Sequence, residues 1–136
     1  MVEPVAAGET PVSELIEGDV VRVSQDASLI EVAELLAAAN IGAVLVGDET
    51  RVTAIVSERD VVRAVAERRD PVATRASEVG HDTLVWSDVT ATVAEVATEM
   101  MDRYVRHVLI EDGGRFVGIV SARDLLGVYA TSGDTW

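Results

Sequence analysis

A ten-residue pattern occurs twice in this chain, first at Arg51–Asp60 and again at Arg115–Asp124. In each copy an apolar run ends at a serine, Ser57 or Ser121, and an aspartate follows three residues later. The serines at 57 and 121 lie 64 positions apart, and the aspartates at 60 and 124 have the same spacing, in a chain of 136 residues. Similarity at a fixed period is typical of repeated structural units. The spacing therefore predicts two copies of one unit.

The apolar periodicity gives both copies the same order of elements. The first copy reads as a strand at 20–23, a helix from Ser28, a hairpin of strands at 43–46 and 52–56, and a helix from Ser57. The helix from Ser28 has a capping box with Glu31 and is expected to end near Asn40, which suits a left-handed C-terminal cap. The second copy reads as a strand at 83–86, a helix at 92–103, strands at 107–110 and 115–120, and a helix from Ser121. The sequence thus predicts an α/β protein of the α+β kind, made of two β-α-β-β-α units.

The expected organisation of the chain follows from the size and composition of these units. A unit this small is marginally stable alone, and its strands are apolar on both faces, which favours burial on both sides. We therefore expect the two units to pack sheet to sheet about a pseudo-two-fold axis, with shared clefts at the strand ends. The predicted boundaries are a flexible leader at 1–10, a first domain at 11–69, a linker at 70–75, a second domain at 76–128 and a C-terminal tail at 129–136.

Composition excludes several classes of protein. The chain has no cysteine, which excludes disulfides and thiolate metal sites and favours an intracellular, cytoplasmic setting. Its formal net charge of −13 opposes binding to nucleic acid or to anionic lipid. No apolar run approaches the roughly 20 residues of a membrane span, and the first ten residues lack the pattern of a signal peptide. The loop acids show no metal-ligand spacing, so no metal site is expected.

The repeated serine and aspartate have two interpretations. Ser-x-x-Asp at the start of a helix is a capping box, which stabilises the helix by about 0.5–2 kcal/mol and needs no further role. The free amides of a helix N-terminus also suit a phosphate, and a carboxylate beside them can accept hydrogen bonds from a vicinal diol. A diol near a phosphate describes a ribose phosphate, so the functional interpretation is a nucleotide site.

Arg106 and His107 lie where the second long helix leads into its strand, and the matching positions of the first copy are Gly42 and Ala43. One interpretation is a solvated helix C-terminus, where basic side chains are favourable. The other is phosphate binding in the cleft of Ser57 and Asp60, which the pseudo-two-fold arrangement would supply with Arg106 and His107. The cleft of Ser121 and Asp124 would then receive only small neutral residues.

The doubled unit resembles a Bateman module, a tandem pair of cystathionine β-synthase (CBS) domains, over about residues 11–128. The resemblance rests on Ala54-Ile55-Val56-Ser57-Glu58-Arg59-Asp60 and on Gly118-Ile119-Val120-Ser121-Ala122-Arg123-Asp124, together with the strand entry Arg106-His107-Val108-Leu109-Ile110. Ala54 stands where the family has glycine, and Val44 and Val108 stand where it usually has proline.

The resemblance implies an adenine-based ligand such as AMP, ADP, ATP or S-adenosylmethionine, bound as a regulator, with no required cofactor. It places the aspartates on the ribose hydroxyls, the serines near ribose or phosphate, Arg106 on phosphate, and adenine against the first strands and strand entries. The implied ligand-binding residues are Ser57, Arg59, Asp60, Arg106, His107, Ser121, Arg123, Asp124, Val21, Ala43, Val44, Val85 and Val108.

Two functions remain open at this stage. The first is a stand-alone regulatory module that binds the adenosine-type ligand, forms a homodimer and signals in trans to an effector protein. The alternative is a structural dimerisation module with vestigial clefts. An enzyme is not expected, because the sequence shows no nucleophile with an adjacent base and no phosphate-binding glycine loop. His81 follows Gly80 and is expected to be a solvated loop residue.

Overall fold

The computed structural model describes residues 7–16, 20–48 and 51–131. These residues form two compact units, each with its own sheet. We call residues 20–84 the central unit, since they are contiguous in the chain. The terminal unit combines the described residues 7–16 with residues 85–131.

The central unit contains three strands and three helices. In chain order they are β1 Arg22–Val23, α1 Leu29–Ala39, β2 Ala43–Gly47, β3 Val52–Ser57, α2 Glu58–Ala66 and α3 Ala76–Val79. The sheet order is β1-β2-β3, with β1 parallel to β2 and β2 antiparallel to β3.

The terminal unit repeats this arrangement. It begins with short 3-10 helices at Ala7–Glu9 and Val12–Leu15 and continues with β4 Trp86–Asp88, α4 Val93–Arg103, β5 His107–Asp112, β6 Arg115–Ser121 and α5 Ala122–Thr131. Its sheet order is β4-β5-β6, parallel and then antiparallel. The predicted class and the duplicated β-α-β-β-α order are therefore confirmed.

Capping residues explain where α1 and α4 begin and where α1 ends. The Ser28 hydroxyl accepts from the backbone N–H of Glu31, whose carboxylate accepts from the N–H of Ser28. Thr92 and Glu95 make the same reciprocal pair at the start of α4. Such pairs satisfy two of the amides that a helix N-terminus leaves unbonded. At the other end, Asn40 adopts the left-handed conformation that the sequence predicts for this position.

Each unit has an aliphatic core between its sheet and its helices. The central core contains Val23, Val32, Leu36, Val44, Val46, Ala54, Val56 and Ala76. The terminal core contains Val12, Val85, Val93, Val96, Met100, Val108, Ile110, Val120 and Leu125. Val12 and Ala76 thus belong to cores made mostly from the opposite half of the sequence.

The boundaries of the structural units differ from those of the sequence repeats by the short segment that opens each repeat. The backbone N–H of Leu29 donates to Thr74 O at 2.8 Å and that of Ala76 donates to Ala27 O at 2.7 Å, which joins residues 74–76 to α1. At matching positions, Val93 N–H donates to Thr10 O at 2.8 Å and Val12 N–H donates to Ala91 O at 2.8 Å. Each repeat therefore gives its opening segment to the unit that contains the other repeat.

The described ends of the chain have more regular structure than the sequence suggests. Residues 7–9 of the predicted leader form a 3-10 helix that contacts α4 and α5. Helix α5 continues to Thr131, three residues into the predicted tail. Residues 1–6 and 132–136, which the sequence assigns to the leader and tail, lie outside the described residues.

The first strand of each unit is displaced from its predicted position. β1 covers only Arg22–Val23, and β4 begins at Trp86 rather than at residue 83. The amide of Leu84 is taken by Asp82 O in a local turn at 2.9 Å. Pairing with the neighbouring strand begins only at Val85, whose carbonyl accepts from Leu109 N–H at 2.8 Å.

Candidate functional site

Ser57 joins β3 to α2, and its hydrogen bonds to Asp60 close a capping box. Asp60 Oδ2 accepts from the backbone N–H of Ser57 at 2.8 Å and from its hydroxyl at 3.0 Å. Ser57 Oγ accepts in return from the N–H of Asp60 at 3.3 Å. The capping-box interpretation of this pair is therefore confirmed, and any ligand contact comes in addition to it.

Asp60 also has two basic partners. Its Oδ1 accepts from Arg63 Nη1 at 3.1 Å, and its Oδ2 lies 3.7 Å from His81 Nε2. The Asp60 side chain is only 4% exposed, whereas those of Arg63 and His81 are 57% and 45% exposed. A buried carboxylate needs such partners, because an unpaired buried charge is strongly destabilising.

His81 is the residue whose position the sequence did not reveal. Its backbone pairs with Ile55, with Ile55 N–H donating to His81 O and His81 N–H donating to Ile55 O, each at 3.0 Å. Gly80 permits this approach, because a Cβ on it would lie 2.9 Å from Ile55 O. The loop prediction was therefore incomplete: the ring is half-exposed, but it faces the Asp60 carboxylate. Gly80 is the sequence feature that could have indicated this close approach of the two backbones.

Ser121 and Asp124 repeat the motif in the terminal unit under different conditions. Asp124 Oδ2 accepts from Ser121 N–H at 2.8 Å, and Ser121 Oγ accepts from Asp124 N–H at 3.1 Å. Asp124 is exposed, unlike Asp60. Within the described part of the chain, no ion pair and no second hydrogen-bond donor reaches its carboxylate. One of its oxygens is available to an outside donor.

Strand pairing brings each motif next to a strand entry in its own unit. Ala43 lies opposite Ser57, and His107 lies opposite Ser121. The first amide of α2, on Glu58, donates to Gly42 O at 2.9 Å.

Helix α5 has the same connection, since the N–H of Ala122 donates to Arg106 O at 2.8 Å. Arg106, His107 and Arg123 are therefore all attached close to the start of α5. The exposed guanidinium groups of Arg106 and Arg123 form no ion pair with any described residue. Arg59 holds the position of Arg123 in the central unit, where no counterpart of Arg106 exists because residue 42 is glycine. The predicted use of Arg106 by Ser57 and Asp60 would join the two units and stays a prediction.

The predicted apolar ligand residues differ in what they can offer. Val44, Val85 and Val108 are 1%, 6% and 0% exposed, because their side chains are part of the cores. A ligand could reach only their backbone. Val21 is half-buried, and its carbonyl accepts from Leu45 N–H at 3.0 Å beside β2.

The chemistry available is that of binding an anion and a diol. At the start of α5, the positive end of the helix dipole and two guanidinium groups favour a phosphate, and the exposed Asp124 carboxylate can accept from hydroxyls. His, Asp and Glu side chains of the described residues form no group of three that could hold a metal ion. Within those same ranges, no helix is both long and apolar enough to cross a membrane.

Comparison with known proteins extends this description. A family model described as CBS domain matches residues 12–67 and 76–131. An uncharacterised protein from Methanocaldococcus jannaschii is 31% identical over 126 residues, covering 89% of this chain and 43% of that protein. The chain therefore spans less than half the length of this curated relative.

Two further relatives are closer to this chain in length. Hypoxic response protein 1 from Mycobacterium tuberculosis is 28% identical over 118 residues, covering 85% of this chain and 82% of that protein. A CBS domain protein from Pyrobaculum aerophilum, solved in complex with AMP, superposes with a TM-score of 0.76 at 30% identity, covering 89% of this chain and 99% of that one.

Proposed function

The chain belongs to the CBS domain family, with two CBS domains in tandem, and from this premise we propose that it is a regulatory module that binds an adenine nucleotide or adenosyl ligand. The observation that carries the proposal is the repeated serine-aspartate pair, which stands beside the first turn of a helix in both units. The AMP complex of the Pyrobaculum aerophilum protein supports the ligand class, since that protein is 30% identical to this chain.

The proposed roles follow from the chemistry of a ribose phosphate. Asp60 and Asp124 accept hydrogen bonds from the ribose hydroxyls, and Ser57 and Ser121 contact ribose or phosphate while they cap their helices. Arg106, with His107, Arg59 and Arg123 as further basic groups, binds phosphate. A guanidinium suits this role because its donors match two phosphate oxygens at once.

Adenine is proposed to rest on the backbone of the first strands and the strand entries, at Val21, Ala43, Val44, Val85 and Val108. Peptide N–H and C=O groups can pair with the edge of a base, and the buried valine side chains behind them exclude water.

The module is further proposed to act as a homodimer that passes a ligand-dependent change to an effector protein. Exposed apolar side chains on α2 and α5 support self-association, since Val62 and Val65 are 66% and 65% exposed and Leu126 is 61% exposed. Val62 and Leu126 occupy matching positions of the two repeats.

Binding of AMP, ADP, ATP and S-adenosylmethionine tests the proposal. Thermal unfolding is measured with each compound, and calorimetric titration then gives affinities. A compound present at 100 times its dissociation constant should stabilise the protein by about 2.7 kcal/mol. The double variant Asp60→Asn/Asp124→Asn should bind about tenfold to hundredfold more weakly, because hydrogen bonds to charged groups contribute about 1.5–3 kcal/mol.

Asp102→Asn is the matched control, because Asp102 is an exposed carboxylate on α4 outside both motifs. It should bind as the unmodified protein does. Unchanged affinity in the double variant would remove the aspartates from the site. No response to any compound would favour the alternative function, a structural dimerisation module.

A further inference from the structure

The two aspartates of the proposed ligand sites differ in how many of their acceptor positions are already used. Asp60 accepts two hydrogen bonds from Ser57 and one from Arg63, and His81 Nε2 lies 3.7 Å from the oxygen that Ser57 occupies. Asp124 accepts one bond from Ser121 N–H, and its second oxygen has no partner within the described part of the chain.

Burial increases this difference. Asp60 is 4% exposed, so a ligand hydroxyl that replaces Arg63 must also compensate the charge that the guanidinium compensated. Asp124 is exposed, and a diol can approach it without displacing any described side chain. Ligand binding should therefore cost more free energy at Asp60 than at Asp124, although both belong to the same motif.

We propose that Asp124 is the ready acceptor for a vicinal diol and that Asp60 is held by Arg63 and His81, which a ligand must displace. This inference rests on the proposed function and adds an order of occupancy to it: the site of Asp124 fills first, and that of Asp60 fills at higher ligand concentration. Arg63 and His81 can be displaced, because both are about half-exposed and lie at the rim of the buried carboxylate.

Single variants and AMP as the probe test this order. In calorimetric titration, Asp124→Asn should weaken the tighter binding event about tenfold to hundredfold, and Asp60→Asn should change it by less than about twofold. In urea unfolding the larger effect should come from Asp60→Asn rather than from Asp124→Asn. Asp60→Asn should lower the midpoint, because it removes the charged partner of Arg63 at a buried position, and Asp124→Asn should leave the midpoint nearly unchanged.

A second pair of variants tests the displacement itself. In the Asp124→Asn background, His81→Gln and Arg63→Gln should each raise the residual affinity for AMP, since each removes a competitor for Asp60. Arg75→Gln serves as the control and should not raise the affinity, because the Arg75 guanidinium pairs with Asp26 rather than with Asp60.

The outcomes separate this inference from the proposed function. If the unmodified protein binds AMP and both single aspartate variants weaken that binding equally, the inference is overturned and the proposed function stands. If Asp60→Asn weakens the tighter event and Asp124→Asn does not, the order is reversed and the inference is again overturned. If no compound of the panel binds, the proposed function fails and this inference fails with it.

Discussion

At the residue scale, Gly118 and Ile16 illustrate how one unit accommodates a segment from far away in the sequence. A Cβ on Gly118 would lie 2.5 Å from Ile16 Cγ2, so the absent side chain leaves room for the isoleucine. The matching residue in β3 is Ala54, which is buried in the central core. The position of Ile16 is matched by Gly80 in the other unit. The departure from glycine at residue 54 therefore accompanies a smaller residue at the position that matches Ile16.

Gly118→Ala should destabilise the protein by about 1–3 kcal/mol, the usual cost of forcing an extra methyl group into a packed site. Urea unfolding of Gly118→Ala, Ile16→Ala and the double variant measures the coupling between the two positions. The double variant should be more stable than the sum of the two single effects implies. Strict additivity would show that the two side chains do not compete for space.

Gly127→Ala provides the matched control for that experiment. Gly127 lies within α5, and among the described residues a Cβ there would meet no atom within 4 Å apart from the neighbouring backbone of the helix itself. Alanine should therefore stabilise the helix by up to about 1 kcal/mol through its higher helix propensity.

At the element scale, the turn at residues 70–74 helps to begin α1. Asp70 Oδ1 accepts from the N–H groups of Val72 at 2.8 Å and Ala73 at 3.1 Å. The turn then presents two carbonyls to α1, with Pro71 O accepting from Ile30 N–H at 2.9 Å and Thr74 O accepting from Leu29 N–H at 2.8 Å. These bonds satisfy helix amides that would otherwise lack a partner. The predicted linker therefore supports a helix of the first repeat.

The turn should also make stability depend on pH in acid. Hydrogen bonds from Ala73 and Val72 hold the pKa of the Asp70 carboxyl below its usual value. The unfolded chain then binds more protons than the folded chain, so this contribution is present above the unfolded pKa and is lost as pH falls through the folded pKa. Asp70→Ala should lower the unfolding temperature at neutral pH and reduce its fall between about pH 5 and 2.

Asp82→Ala is the control for this effect, since Asp82 is an exposed acid three residues before strand pairing begins at Val85. Thermal unfolding followed by circular dichroism across this pH range compares the variants. An Asp70→Ala profile parallel to that of the unmodified protein would contradict the predicted role. The Asp88 carboxyl, whose pKa the Thr90 hydroxyl and N–H lower, should retain its own acid dependence in both variants.

The elements that the sequence predicted well are those governed by local chemistry. Ser28 with Glu31 and the left-handed Asn40 defined α1 from both ends, because capping depends on residues three or four positions apart. The motif residues Ser57 and Asp60 were predicted for the same reason. The contact of His81 with Asp60 was not predictable in this way, because it depends on a backbone pairing between residues 55 and 81.

At the scale of the whole molecule, the exchange of opening segments was also beyond the reach of sequence periodicity. The sequence divides equally well into a repeat at 11–69 or into a unit at 20–84. Both divisions contain the strands and long helices of the first copy, and both repeat after 64 residues. The two divisions differ in the copy against which Val12 and Ala76 pack. Both residues are fully buried, so the choice affects the stability of each unit.

A fragment of residues 20–84 should therefore fold more cooperatively than one of residues 11–69. The first keeps Ala76 in its core and keeps the bonds from Leu29 to Thr74 and from Ala76 to Ala27, whereas the second loses all three. Far-UV circular dichroism during urea titration compares the two fragments. Equal unfolding curves, or greater stability for 11–69, would contradict the assignment of residues 70–84 to the central unit.

The same exchange sets the order in which the nascent chain can complete its parts on the ribosome. Residues 10–12 are translated about eighty residues before their bonding partners at Ala91 and Val93. At about 5–20 residues per second, the opening segment waits several seconds for them. The central unit, residues 20–84, can fold during that delay, so it can complete its structure before the terminal unit does.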